Sequence, residues 1–265
     1  MEITGVQIEK NSWSFLREFT GARIALGRTG VSLPTRELLK FSLAHAQAKD
    51  AVHQPFDKKM LKEQIEEIGL PLIEVSSAAK NRMVYLTRPD LGRQLSEESK
   101  DLLQSESNLP VDIVIVVGDG LSSKAVHKQA APLLKNLIPY ISQLNLSPAP
   151  IVLAEQSRVA LGDEIGEILK AKLVVVLIGE RPGLSSPDSL GVYITWNPAI
   201  GKLDSERNCI SNIRPEGLDY LKSAFKLAWL IEHAFSLKTT GIHLKDQSDD
   251  PSQYLIVKPN SLITR

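Results

Sequence analysis

The stretch Asp112-Ile-Val-Ile-Val-Val-Gly-Asp-Gly-Leu-Ser122 decides how this chain folds. Its first half is a continuous run of mainly β-branched residues, as expected of a strand buried on both faces. Gly118-Asp-Gly120 breaks the run, and Ser122 or Ser123 can cap the helix that follows. That helix carries Val126, Ala130, Leu134, Leu137, Ile141 and Leu144 at helical spacing, with Pro132 and Pro139 expected to kink or divide it.

Downstream the unit recurs. Ile151 to Ala154 reads as a second strand and Asp163 to Leu169 as a short helix. Leu173 to Ile178 is a third, very apolar strand, ended by Gly179-Glu-Arg-Pro-Gly183, and Gly191 to Trp196 reads as a fourth. Gly217 to Lys238 forms a long amphipathic helix through Leu218, Leu221, Phe225, Ala228, Trp229 and Ile231. Strands joined by helices imply right-handed crossovers and a parallel sheet covered on both faces.

Upstream the texture is helical and polar. Thr35 can cap a helix carrying Leu38, Leu39, Leu43 and Ala46, and Asp57 can cap a second with Met60, Leu61, Ile65 and Ile68 on one face. Two extended pieces, Leu72 to Val75 and Met83 to Leu86, precede a helical stretch from Pro89-Asp90 toward Ser105. The expected fold is α/β. A small, mainly helical N-terminal domain (residues 1–90) precedes a Rossmann-like domain with a mostly parallel sheet (91–245). The polar segment 246–265 reads as a loosely held tail, in which Tyr254 to Val257 could dock as an extended piece.

Composition narrows the function classes. Lys plus Arg equals Asp plus Glu, 31 of each, so no electrostatic pull toward nucleic acid or an anionic membrane is expected. Cys209 is the sole cysteine, which excludes an intrachain disulfide and a thiolate zinc cluster and fits a reducing compartment. The apolar runs fall far short of the roughly 20 residues a membrane span needs, and the N-terminus has no signal-peptide pattern. A soluble cytoplasmic protein is expected.

Ligands of an open α/β sheet bind at the carboxyl ends of its strands. Those ends are Gly118 to Ser122, Glu155 to Val159 and Gly179 to Gly183. The first loop could meet a phosphate at a helix N-terminus, or be a turn shaped by its glycines. It matches neither the dinucleotide fingerprint nor the P-loop. Glu180, charged and directly after an apolar strand, could be a ligand contact, a solvated strand end or a partner of Arg181. Val159 taken alone reads as core and Cys209 as a small buried hydrophobe. None of the five histidines, His45, His53, His127, His233 and His243, sits in an H-E-x-x-H arrangement, and other common catalytic signatures are missing. As an enzyme acting alone, the chain lacks visible catalytic machinery.

Several ungapped stretches, in order over about Ala22 to Leu244, resemble the small (light) chain of ethanolamine ammonia-lyase. They are Leu86-Thr-Arg-Pro-Asp-Leu-Gly-Arg93, Asp119-Gly-Leu-Ser122, Gly162-Asp-Glu-Ile-Gly-Glu-Ile-Leu169, Gly179-Glu-Arg-Pro-Gly-Leu184, Cys209-Ile-Ser-Asn-Ile213 and Thr240-Gly-Ile242. The resemblance implies a lyase subunit that deaminates ethanolamine to acetaldehyde and ammonia with adenosylcobalamin (coenzyme B12). The corrinoid would be held between this chain and a large, barrel-shaped partner subunit. It further implies cobalamin contacts at Val159, Glu180 and Cys209, with no catalytic residue and no metal ligand in this chain. Cys209 rests on the Cys209-to-Ile213 match alone, since the segment before it differs by about one residue from relatives. The cytoplasm is the expected location, with a bacterial microcompartment as the setting the resemblance adds. Only about 20 residues precede Gly21-Ala-Arg23, where relatives often carry an extra stretch linked to encapsulation. Two other readings stay open beside this one: a free-standing nucleotide-dependent enzyme, and a scaffold that only stabilises a partner.

Overall fold

A computed structural model describes residues 8–107 and 111–259. Helices α1 (Thr35–His53) and α2 (Lys58–Glu66) lead to strand β1 (Leu72–Ser76), then to α3 (Arg82–Thr87) and α4 (Glu97–Glu106). There follow β2 (Ile113–Gly118), α5 (Ser123–Gln143), β3 (Ile151–Glu155), α6 (Leu161–Ile168) and β4 (Leu173–Gly179). Strands β5 (Leu190–Trp196) and β6 (Arg207–Ile213) and helix α7 (Tyr220–Leu237) complete the order.

The six strands among the described residues form one sheet in the order β1-β3-β2-β4-β5-β6. Pairings among β1, β3, β2 and β4 are parallel, whereas β4–β5 and β5–β6 are antiparallel. The sheet is therefore mixed rather than mostly parallel. The connections 180–189 and 197–206 contain no α-helix and are too short for a parallel crossover, so the chain turns back on itself. Strand β1 comes from the mainly helical first 90 residues, so the sheet crosses the boundary read at residue 90.

Side-chain alternation splits the core into two layers. Ile113, Ile115, Val117, Leu173, Val175 and Leu177 pack with α2, α5 and α7 on one face. Val114, Val116, Val152, Val174 and Val176 pack with α4 and α6 on the other. The local reasons are legible. Asp57 accepts from the Met60 N–H, Ser122 from Ala125 and Asp219 from Lys222, each side chain capping a helix start.

Several expectations change. Residues Met83 to Leu86 are helical in α3, not extended, because Asn81 caps that turn and Tyr85 is buried on it. The stretch from Pro89 toward Ser105 divides into a 3-10 turn, Leu91–Arg93, and a helix capped by Ser96. Thr35 is the first residue of α1 rather than its cap, and that helix buries Ala44, Ala48 and Ala51 while Leu38, Leu39 and Leu43 stay exposed. Helix α5 runs as one element across Pro132 and Pro139. The carbonyls those prolines leave unpaired, four residues back, belong to Lys128 and Lys135, both exposed, so water can serve them.

Of the segment read as a loose tail, residues 246–259 are anchored, and 260–265 lie outside the described residues. The Ile256 and Val257 N–H groups donate to the Glu232 carboxylate, Trp229 Nε1 donates to the Gln253 carbonyl, and Val257 is buried. Among the described residues, no helix is long and apolar enough to cross a membrane.

Candidate cofactor-contact site

Strand β2 has neighbours on both sides that follow it in sequence, so the connections diverge at its carboxyl end, next to that of β4. This is where an α/β sheet opens a ligand crevice. Here the crevice is closed by the chain itself. The Leu121 N–H donates to the Gly179 carbonyl at 2.9 Å. A Cβ on Gly120 would lie 2.3 Å from Gly179 O, and one on Gly179 would lie 2.1 Å from Ser122 O. Both glycines thus serve backbone contact. Asp119 is buried, accepting from the Ser157 N–H at 2.9 Å and pairing with Arg82 at 3.2 Å. The Gly118 to Ser122 loop is an interior joint rather than a phosphate loop.

The open surface lies further along the sheet. In β5, Leu190, Val192 and Ile194 enter the α5–α7 core, which turns Gly191, Tyr193 and Thr195 to the opposite face. The β5–β6 register places Cys209 beside Tyr193 and Arg207 beside Thr195. The Tyr193 phenol and the Cys209 thiol are cross-strand neighbours. Burial pushes the Tyr193 phenol up to about 12, with Cys209 and Glu180 adding to the shift. Burial also raises the Cys209 thiol, and the Glu180 charge adds to this while the Tyr193 phenol opposes it. The sulfur is thus a neutral thiol at neutral pH, a small polarizable surface group and not a thiolate ligand.

Glu180 follows β4 directly and joins three strand ends. Its N–H donates to the Ser189 carbonyl at 3.0 Å. Its Oε2 accepts from Ser189 Oγ at 2.5 Å and from the Asn212 N–H at 3.3 Å. Gly191 makes room for it, since a Cβ there would come within 3.1 Å of the Glu180 side chain. Glu180 is therefore a positioned carboxylate rather than a loose strand end, and it forms no ion pair with Arg181 among the described residues.

Val159 sits in the turn between β3 and α6. The turn is pinned by Ser157 N–H to Asp119 and by Arg158 N–H to the Gly92 carbonyl at 2.8 Å. Val159 and Tyr193 are half-buried against the same apolar layer and share the wall of an open pocket of about 510 Å³. At its edge Arg207, buried, makes a bidentate pair with Asp163 at 2.6 and 2.7 Å and donates to the Thr195 hydroxyl and the Lys202 carbonyl.

The three residues singled out in the sequence thus come from three separate segments: Cys209 pairs with Tyr193 across β5 and β6, Val159 lines the same pocket as Tyr193, and Glu180 is fixed to Ser189 and Asn212 at the ends of those two strands. Tyr193 was missed by the sequence reading. Its signal was the alternation in Leu190-Gly-Val-Tyr-Ile-Thr-Trp196, in which Tyr193 falls on the face opposite the aliphatic residues. The histidines have local duties instead. His127 Nε2 accepts from the Asp57 N–H, and His233 stacks on Trp229. Among the described residues, no three His, Cys, Asp or Glu side chains gather as a metal site.

Residues 10–245 match the family described as ethanolamine ammonia-lyase light chain (EutC). The chain is 51% identical over 251 residues to the ethanolamine ammonia-lyase small subunit of Ralstonia nicotianae, covering 94% of this chain and 93% of that relative. Against the protein of the same name from Pseudomonas fluorescens (strain Pf0-1) the figures are 53% over 242 residues, 90% and 88%. Against that from Pseudomonas aeruginosa (strain LESB58) they are 50% over 243 residues, 91% and 89%. With a match of this identity over nearly the whole length, the chain belongs to the ethanolamine ammonia-lyase small-subunit (light-chain) family.

Proposed function

We propose that this chain works as the small subunit of an ethanolamine ammonia-lyase, and that its β5–β6 face supplies part of an adenosylcobalamin site completed by a large partner subunit. The observation that carries the reading is the β5–β6 register that sets Cys209 beside Tyr193, with Glu180 fixed to Ser189 and Asn212 at the ends of the same strands and Val159 lining the same pocket as Tyr193. The parallel part of the sheet, β1-β3-β2-β4 with helices on both faces, supports a Rossmann-like description of the supporting scaffold.

The residues fit such a group. A corrinoid is a broad disc fringed with amides, so it needs apolar area and a few placed acceptors. Gly191 keeps the centre of the face low, and Val159 and Tyr193 offer apolar contact beside it. Both contacts that position Glu180 go to Oε2, which leaves Oε1 to accept from an amide. Cys209, uncharged and exposed, adds polarizable contact without a competing charge.

When bound, adenosylcobalamin supplies the weak carbon–cobalt bond that starts the radical deamination of ethanolamine to acetaldehyde and ammonia. This chain's residues bind and orient. Glu180 accepts hydrogen bonds, Tyr193 and Val159 exclude water from the contact, and the Ser189 and Asn212 contacts hold the carboxylate in place. These are binding roles, so the isolated chain is expected to be inactive.

Co-expression with a large subunit, followed by cobalamin absorbance on the purified complex, tests the reading. Cobalamin retained by the complex and not by either chain alone is expected. Equal retention by the large subunit alone would sink the shared site. In the complex, Glu180→Gln should weaken cobalamin binding without separating the subunits, and unchanged affinity would remove Glu180 from the site.

A further inference from the structure

Two arginines stand on the wall of the Val159–Tyr193 pocket without a carboxylate partner. Arg93 ends the 3-10 turn before α4, and Arg158 opens the turn before α6. The Arg158 N–H bond to the Gly92 carbonyl brings the two segments side by side. Arg158 is held firmly. Its stem lies against Gly92, where a Cβ would come within 2.9 Å of Cγ, and its guanidinium stacks over the Tyr85 ring at 4.3 Å. One Nη2 donates to the Tyr85 carbonyl at 3.2 Å, while the buried Nε has no hydrogen-bond partner.

The other cations of this pocket are already neutralised. Lys202 pairs with Glu206 at 2.8 Å and Arg207 with Asp163 at 2.6 Å. The acidic residues in the first turn of α6 are also engaged, Asp163 by Arg207 and Glu164 by the Leu95 N–H and Lys100. At the same turn the Leu161, Gly162 and Asp163 N–H groups close back on the Arg158, Val159 and Ala160 carbonyls. The Val159 and Ala160 N–H groups take no partner among the described residues. Uncompensated guanidiniums beside free amides at a helix start are what a phosphate oxygen requires.

We propose that this pocket takes a phosphodiester anion and, resting on the cobalamin reading above, that it is the phosphodiester of the cofactor's nucleotide loop. The same chemistry would suit a free phosphate, and the two sources separate experimentally. Cobinamide keeps the corrin ring and its amides but lacks the nucleotide loop with its phosphate. The test measures cobalamin and cobinamide binding by absorbance in the purified two-subunit complex, for the unaltered protein, R93Q, R158Q and R158K.

Arg158→Gln should weaken cobalamin roughly tenfold to a hundredfold, the loss of a charge-assisted contact, and leave cobinamide unchanged. Arg158→Lys should restore part of the difference. The Arg93 side chain is exposed and makes no hydrogen bond or ion pair among the described residues, so R93Q reports even where R158Q fails to fold. Equal weakening of both corrinoids would mean that the arginines serve packing alone, and no weakening of either would remove the site. Radiolabelled inorganic phosphate retained together with cobalamin would assign the pocket to free phosphate and overturn the proposal. Failure of the shared-site reading looks different, since cobinamide would then bind the large subunit alone as well as it binds the complex.

Discussion

Tyr193 and Cys209 face each other across β5 and β6, a register that sets the sole cysteine of the sequence beside the half-buried phenol of the open face. Burial and the Glu180 charge hold the thiol above its ordinary value, and only the Tyr193 contact works the other way. The thiol should therefore alkylate slowly with iodoacetamide at neutral pH, with the rate climbing only in the alkaline range. Tyr193→Phe should slow it further at any given pH. Mass spectrometry of the labelled chain reads this directly, and a faster reaction in the variant would contradict the assigned role of the phenol.

Gly179 sets the tolerance of the joint between β4 and the β2 loop. A Cβ there would meet two backbone carbonyls, Ser122 O at 2.1 Å and Asp119 O at 2.6 Å, neither of which can swing aside. Gly179→Ala should lower stability in urea unfolding by about 3 kcal/mol, the scale of an overpacked interior. Gly21→Ala, with nothing within 4 Å of its Cβ position, is the matched control and should cost little.

Asp119 makes the fold sensitive to pH. Burial raises its carboxyl from 3.8 to about 6, against the opposing pull of the Ser157 N–H and Arg82. A carboxyl that holds its proton more tightly folded than unfolded stabilises the fold fully at low pH and loses that contribution as pH rises through the folded value. Between about pH 4 and pH 6 this group should remove on the order of 3 kcal/mol of stability. Asp119→Asn cannot titrate, so its deficit relative to the unaltered chain should shrink as pH rises over that range. Parallel stability curves would show that the carboxyl is not raised.

Glu232 fastens the segment around Val257. Its two oxygens accept from the Ile256 and Val257 N–H groups at 2.6 and 3.2 Å. Glu232→Ala leaves both donors unsatisfied, a loss of roughly 1–3 kcal/mol in local docking. Limited proteolysis should then cut between residues 246 and 258 well before the sheet is attacked. Glu232→Gln keeps one acceptor and should fall between the two. Cleavage at the same rate in all three proteins would mean that other contacts, such as Trp229 to Gln253, carry the docking.

Local signals were readable where one segment settles its own structure. The runs at 113–117 and 173–178 are strands because uninterrupted aliphatic sequence leaves no polar face, and Asp57 and Ser122 cap helices through bonds only three residues long. Met83 to Leu86 was misjudged because four apolar-to-mixed residues carry no period, and the deciding bond comes from Asn81. The direction of β5 could not be read from its composition, since an apolar strand looks alike whichever way it runs.

For the site, the sequence by itself determined the chemical types available, namely Val159, Glu180 and Cys209, and the family to which the chain belongs. Only the tertiary structure decided that they share one face. Val159 and Cys209 lie 50 residues apart in the chain, and what relates them is the antiparallel return of β5 and β6, which sets Tyr193 beside Cys209 and on the wall of the pocket that Val159 lines. Register is a property of paired strands, set by which side chains the two core layers can bury together, and no single segment contains it.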